Sequence, residues 1–207
     1  MYYQIMGMIA GVFALADITL YILAILGRNY RFRRIQRTVP NRATWFIWAS
    51  IGVIIFTSYY AAGATDTLWF PASYAFGFVI IALLSIRYGE GGFEFVDIFC
   101  LSGAVISAWA WWKYNSPEMA LLGTISMDAF GSIPTIEKSW REPWKENLTA
   151  WFLSFIASIA NILAINWSTA TFAIIIYPIY MFFVLGLITL LLLRYPKSTL
   201  LKKNTSS

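Results

Sequence analysis

Asp17 and Asp128 each interrupt a long apolar stretch. A carboxylate in such a setting costs several kcal/mol unless it is paired, hydrated or protonated, so it normally faces a cavity or a partner inside a bundle. Two chemistries fit. The pair accepts hydrogen bonds from a polar solute or carries a proton along a path, or each aspartate makes a structural hydrogen bond between helices. Asn161 lies at a depth where an amide needs partners, and a hydrogen bond that joins two helices would supply them. Trp48 and Trp151 carry flat indoles that can stack on a ring, although tryptophan at the end of a span also serves as an interfacial anchor. Ser50, Thr57 and Ser58 have hydroxyls that bond readily to their own helix, and that use is expected of them. Pro71, Pro134 and Pro178 remove helical hydrogen bonds and are the candidate hinges.

Other chemistries are closed. Histidine is absent, which removes His-ligated metals, Ser-His and Cys-His nucleophile pairs, and the side chain best suited to proton transfer near neutrality. Cys100 is the only cysteine, so no internal disulfide forms and the redox compartment is unreadable. No cofactor or metal site is expected, and no enzymatic activity.

The elements that carry these residues are set by composition. Of 207 residues, 59% are hydrophobic and 12% charged. A soluble domain carries about a quarter of its residues as Asp, Glu, Lys and Arg. Half that supply suffices when lipid is the main solvent. Apolar runs of roughly 20 residues, long enough for a hydrocarbon core of about 30 Å, recur along the chain. They predict an all-α integral membrane protein with seven spans near 3–27, 43–63, 68–88, 94–112, 117–136, 147–165 and 170–193. The opening run lacks a basic start and is too long for a cleavable signal. Tight connections at Gly89-Glu-Gly-Gly92 and Asn115-Ser-Pro117 are expected to make spans three, four and five neighbours in space.

Orientation follows from the cations, because short cytoplasmic loops retain Lys and Arg. Arg28, Arg31, Arg33, Arg34, Arg37 and Arg42 lie in the first loop, and Arg87 in the third. Lys138, Arg141 and Lys145 lie in the fifth, and Arg194, Lys197, Lys202 and Lys203 in the tail. With 14 of 15 basic residues on one side and only Lys113 on the other, the N-terminus is expected outside a plasma or inner membrane and the C-terminus in the cytoplasm. The net charge of +5 then reflects lipid headgroups and needs no nucleic-acid partner. Trp69, Trp111, Trp112 and Trp167 fall at outer span ends, and Trp45, Trp140 and Trp144 at inner ones, as interfacial belts require. Gly7 and Gly11 form a small-xxx-small step that predicts close helix contact. The glycosylation-like triplets at Asn147, Asn166 and Asn204 are read as chance.

The chain also repeats. Residues 70–88 align without gaps on 177–195, pairing Pro71 with Pro178, Phe76 with Phe183, Arg87 with Arg194 and Tyr88 with Tyr195. Asn41 to Ile47 aligns on Asn147 to Leu153, and Asp17 meets Asp128. Four spans separate equivalents, so the copies share one membrane orientation and are parallel repeats. The parse is a first three-helix repeat (1–92), a linker helix (93–115), and a second three-helix repeat with the tail (116–207).

This 3+1+3 order resembles the SWEET sugar transporters and the wider PQ-loop group, including Pnu-type vitamin transporters. The local likeness is Gly131-Ser-Ile-Pro-Thr-Ile-Glu-Lys138, followed by Asn147 to Trp151 and Asn161. The Pro-Gln pair of that group is missing, with Pro134-Thr135 in its place in the second repeat and Leu23 at the aligned position in the first. The resemblance implies alternating-access transport of a small polar solute, a sugar or a vitamin precursor, with Asn161 in the solute pocket.

Other functions remain open at this level. A non-transporting accessory or assembly subunit is compatible with the short loops. Two intramembrane aspartates are also similar to those of aspartyl intramembrane proteases, but Leu15-Ala-Asp-Ile and Ser126-Met-Asp-Ala lack that group's Tyr-Asp and Gly-x-Gly-Asp contexts. A retinal photoreceptor fails for want of a lysine inside the last span. A homodimer is compatible with the sequence, although one chain already holds both repeats.

Overall fold

A computed structural model describes residues 1–26, 40, 42–89, 95–141, 143 and 146–194. Among them the secondary structure is helical throughout, without strands. The helices are α1 (Tyr2–Leu26), α2 (Arg42–Ala61), α3 (Trp69–Tyr88), α4 (Phe95–Tyr114), α5 (Pro117–Arg141), α6 (Leu148–Leu163) and α7 (Phe172–Leu193), with a short 3-10 helix, Asp66–Leu68, leading into α3. Each expected apolar run is a helix, and α5 continues to Arg141, beyond the expected end at 136. Most of the first basic loop, residues 90–92, Trp144, Lys145 and the tail from 195 lie outside the described residues. So do the side chains of Trp111, Pro134 and Lys138.

Three stretches are long and apolar enough to cross a membrane: Tyr2–Leu26, Asp66–Tyr88 and Phe172–Leu193. Trp45–Ala61 and Leu148–Leu163 are apolar but shorter. Large side chains such as Val12, Phe76, Leu83, Phe183 and Leu190 are more than half exposed on the three long helices. Water would not tolerate so broad an apolar surface, whereas hydrocarbon matches it.

Local chemistry sets the helix ends. Asn147 caps α6, its Oδ1 accepting from the backbone N–H groups of Thr149 (3.1 Å) and Ala150 (3.2 Å). That cap gives Asn147 a structural role. Asn115 ends α4 with φ +50°, a left-handed conformation that asparagine tolerates, and Pro117 opens α5.

Packing follows a definite order. α1 packs on α3 and α3 on α2; α5 packs on α7 and α7 on α6. Across these groups α1 packs on α6 and α5 on α2. α4 lies against α5 and α2. The expectation that α3 and α4 would be close neighbours is therefore corrected, because α4 leans across to α2. Gly7 and Gly11 act as expected. A Cβ on Gly7 would overlap the Asp66 carbonyl, and one on Gly11 would lie 3.1 Å from the Trp69 Cβ. Ser73 donates to the Gly11 carbonyl at 3.2 Å across the same seam.

Candidate functional site

The helices enclose a cavity of about 380 Å³, within the range of small-molecule sites. Every helix except α4 contributes described lining residues. Asp17, Tyr21 and Ile18 come from α1; Trp45 and Trp48 from α2; Pro71, Tyr74 and Phe78 from α3. Asp128, Ser132 and Thr135 come from α5, Trp151 and Ser154 from α6, and Tyr177 and Met181 from α7. Asp17 and Asp128, 111 positions apart in sequence, thus open onto one space.

Each aspartate is held by a tyrosine from another helix. Tyr74 donates its hydroxyl to Asp17 Oδ2 at 2.8 Å, and Tyr180 donates to Asp128 Oδ2 at 2.6 Å. Ser154 of α6 also donates to Asp17 Oδ2, so one carboxylate joins α1, α3 and α6. Asp17 is buried, whereas Asp128 is half-buried. Hydrogen-bond donors on a carboxylate offset part of its desolvation, and they also fix the direction of the remaining oxygen lone pairs.

An aromatic wall runs along one side. Ring centroids are 4.9 Å apart for Tyr21 and Trp45, 5.2 Å for Trp45 and Trp48, 5.9 Å for Trp48 and Phe78, and 5.1 Å for Phe78 and Tyr74. The wall ends at the tyrosine that holds Asp17. Trp45, expected at the interfacial belt, is instead buried among these rings. Trp69, Trp112, Trp140 and Trp167 do sit exposed at helix ends. At the end of the cavity near the start of α6, the Trp151 indole donates to Glu146 at 2.9 Å, and Glu146 is itself partly exposed.

Toward the opposite end, behind the lining residue Tyr177, lies Tyr59. Its hydroxyl lies 2.8 Å from Thr67 Oγ1 and donates to the Ile174 carbonyl at 2.8 Å. Its ring packs on Tyr177, with centroids 5.3 Å apart, and Tyr177 packs in turn on Phe70. The Ile174 carbonyl needs an outside donor because Pro178, four residues on, has no N–H to give it. Pro178 is thus an interior proline whose orphan acceptor Tyr59 satisfies. Pro71 differs. It sits in the first turn of α3, where an imide removes no helical bond, so its expected loss of a hydrogen bond is corrected.

Asn161 does not join the site. It is fully buried in α6, its Oδ1 and Nδ2 make no hydrogen bond among the described residues, and it does not line the cavity. Ser50, Thr57 and Ser58 bond to carbonyls of their own helix, at 2.9, 2.8 and 2.6 Å. Four polar contributors carry no mark in the sequence pattern: Tyr74, Tyr180, Ser154 and Glu146. The repeat offers one late clue, since Tyr74 and Tyr180 lie three and two residues after the paired prolines.

No protein-family model matches the chain, and no curated protein or solved structure matches it.

Proposed function

We propose that this protein is a transporter that moves a small polar solute across a membrane by alternating access. The observation that carries the reading is the cavity of about 380 Å³ that receives one carboxylate from α1 and another from α5. A static bundle gains nothing from a polar space in its centre, whereas a carrier requires one.

The packing order supports a 3+1+3 parse. The triad α1–α3–α2 matches the triad α5–α7–α6 helix for helix, and the cross-contacts α1 with α6 and α5 with α2 exchange under the same correspondence. α4, the linker in this parse, contributes none of the described residues that line the cavity. On this reading all seven helices cross the membrane, with the N-terminus outside and the C-terminus in the cytoplasm. The two triads rock about the solute, as in parallel-repeat carriers. Similarity to the SWEET and PQ-loop transporters belongs to the same proposal, and rests on this order and on Gly131 to Lys138.

Purified protein in proteoliposomes tests it. Labelled solute should exchange across the bilayer, and Asp128→Asn should lower the exchange by about tenfold, the equivalent of one lost charge-assisted hydrogen bond. An absence of flux for a panel of sugars, nucleosides, vitamin precursors and small organic ions would overturn the proposal.

A further inference from the structure

Asp17 and Asp128 match in the repeat but differ in their partners. Asp128 is held by Tyr180, and that bond joins α5 to α7 inside one triad. Asp17 is held by Tyr74 inside its own triad and also by Ser154 of α6, which belongs to the other. The Asp17 carboxylate therefore bridges the boundary about which the triads would rock. It is 4% exposed, whereas Asp128 is half-buried. The repeat marks the same difference. Asn41 to Ile47 aligns on Asn147 to Leu153, so one position further Trp48 of α2 is the counterpart of Ser154 of α6. α5 packs on α2 as α1 packs on α6, yet no side chain of the first triad donates to Asp128 among the described residues. An indole that lines the cavity stands where a serine would complete the second bridge. On α5, Ser132 and Thr135 follow Asp128 by four and seven residues, so the three share one helix face, and all line the cavity.

Ser154 also has a second acceptor within reach. Its Oγ lies 3.2 Å from the carbonyl of Ala150, one turn back on the same helix. A hydroxyl carries one proton, so the bonds to Asp17 and to Ala150 are alternatives. When the triads part, that proton turns to Ala150 and no buried donor is left unsatisfied, while Tyr74 stays with Asp17. A bond between moving bodies that breaks in every cycle requires such a standby.

We propose that the two aspartates divide the work of the carrier. Asp17 and Ser154 form a releasable latch between the triads, which makes Asp17 a positioning residue. Asp128, beside Trp48, is the carboxylate that contacts the solute. The inference rests on the transport reading above and gives its two carboxylates separate tasks.

Thiol labelling of the full-length protein in proteoliposomes tests the latch without any solute. In a Cys100→Ser background, a single cysteine replaces Ala150, in the cavity wall near Glu146, or Ala64, beside Tyr59. Ser154 lies in the half of α6 that starts next to Glu146, so its release should open that end. Ser154→Ala should speed labelling at 150 and slow it at 64, each by about threefold or more. Tyr74→Phe removes a donor from the same carboxylate but within one triad, and should leave both rates within about twofold. Asp128→Asn should do the same. Should Ser154→Ala not fold, Asp17→Asn trades a charged acceptor for a neutral one and should shift both rates the same way by a smaller factor. An unchanged rate at 64, or an equal shift from Tyr74→Phe or Asp128→Asn, overturns the latch. Solute contact is read with labelled glucose and nicotinamide riboside. For whichever is exchanged, Asp128→Asn should raise KM about tenfold and Trp48→Leu about fivefold, and an unchanged KM overturns the role of Asp128. Shifted labelling without exchange of any solute in the panel keeps the latch and overturns transport. Exchange with unshifted labelling keeps transport and overturns the latch.

Discussion

Asp17 Oδ2 receives two hydroxyls, from Tyr74 and from Ser154, and the two donors come from different helices. Donors that share one acceptor atom do not contribute independently, because removing the first lets the carboxylate settle onto the second. Tyr74→Phe and Ser154→Ala should each destabilise the fold by about 1–3 kcal/mol. The double variant should depart from their sum by at least about 0.5 kcal/mol. Thermal or denaturant unfolding in detergent reads this directly, and strict additivity would show that the two hydroxyls do not act on one atom. Asn161 calls for the opposite experiment. Its amide is fully buried and makes no hydrogen bond among the described residues, so it bears a desolvation penalty without return. Asn161→Leu, with the same number and branching of side-chain heavy atoms, should leave stability unchanged or raise it by about 1–3 kcal/mol. A loss of similar size would reveal a partner for the amide.

At the scale of elements, the apolar runs predicted where helices lie, and the basic residues gave a consistent side. They did not show which face of each helix turns inward. In water that face is read from apolar residues recurring against a polar background, but lipid leaves both faces apolar and erases the contrast. So Asp17 and Asp128 were legible, because a carboxylate stands out against any apolar run, while Tyr74 and Tyr180 were not, because tyrosine is ordinary on either face. The same blindness placed Trp45 at the belt, whereas Asn161 was set in the pocket by resemblance alone. Small residues were readable because close packing leaves few alternatives, and they allow a sharp test. Alanine is favoured over glycine inside a helix by up to about 1 kcal/mol. Yet Gly7→Ala should destabilise by about 1–3 kcal/mol, since its Cβ meets a backbone carbonyl that cannot rotate away. Gly11→Ala should cost less, its neighbours being the Cβ of Trp69 and the hydroxyl of Ser73 at 3.1 and 3.3 Å. Comparing the two melting temperatures checks the order, and a stabilised Gly7→Ala protein would place α1 farther from the Asp66–Leu68 turn.

For the whole molecule, the proposed rocking motion needs one end of the cavity shut while the other admits solute, and Tyr59 is the residue placed to shut one end. Its hydroxyl ties α2 to the Thr67 side chain before α3 and to the Ile174 carbonyl in α7, so it spans the two triads with a single group. The proline at 178 makes the tie useful, because the carbonyl it leaves without a helical donor is the one that Tyr59 satisfies. Tyr59→Phe keeps the ring and its packing on Tyr177 but removes the tie. The loss of about 1 kcal/mol should shift the population of the two states about fivefold toward opening at that end. Cys100→Ser removes the only native thiol, after which a cysteine placed at Ala64, buried beside Tyr59, or at Ala150, in the cavity wall near Glu146, reports access to either end. In the Tyr59→Phe background, labelling at position 64 should speed up and labelling at position 150 should slow by similar factors. A protein that only loosens locally would speed up at 64 and leave 150 unchanged, and reciprocity between the two ends is what separates a rocking carrier from a bundle with a frayed edge.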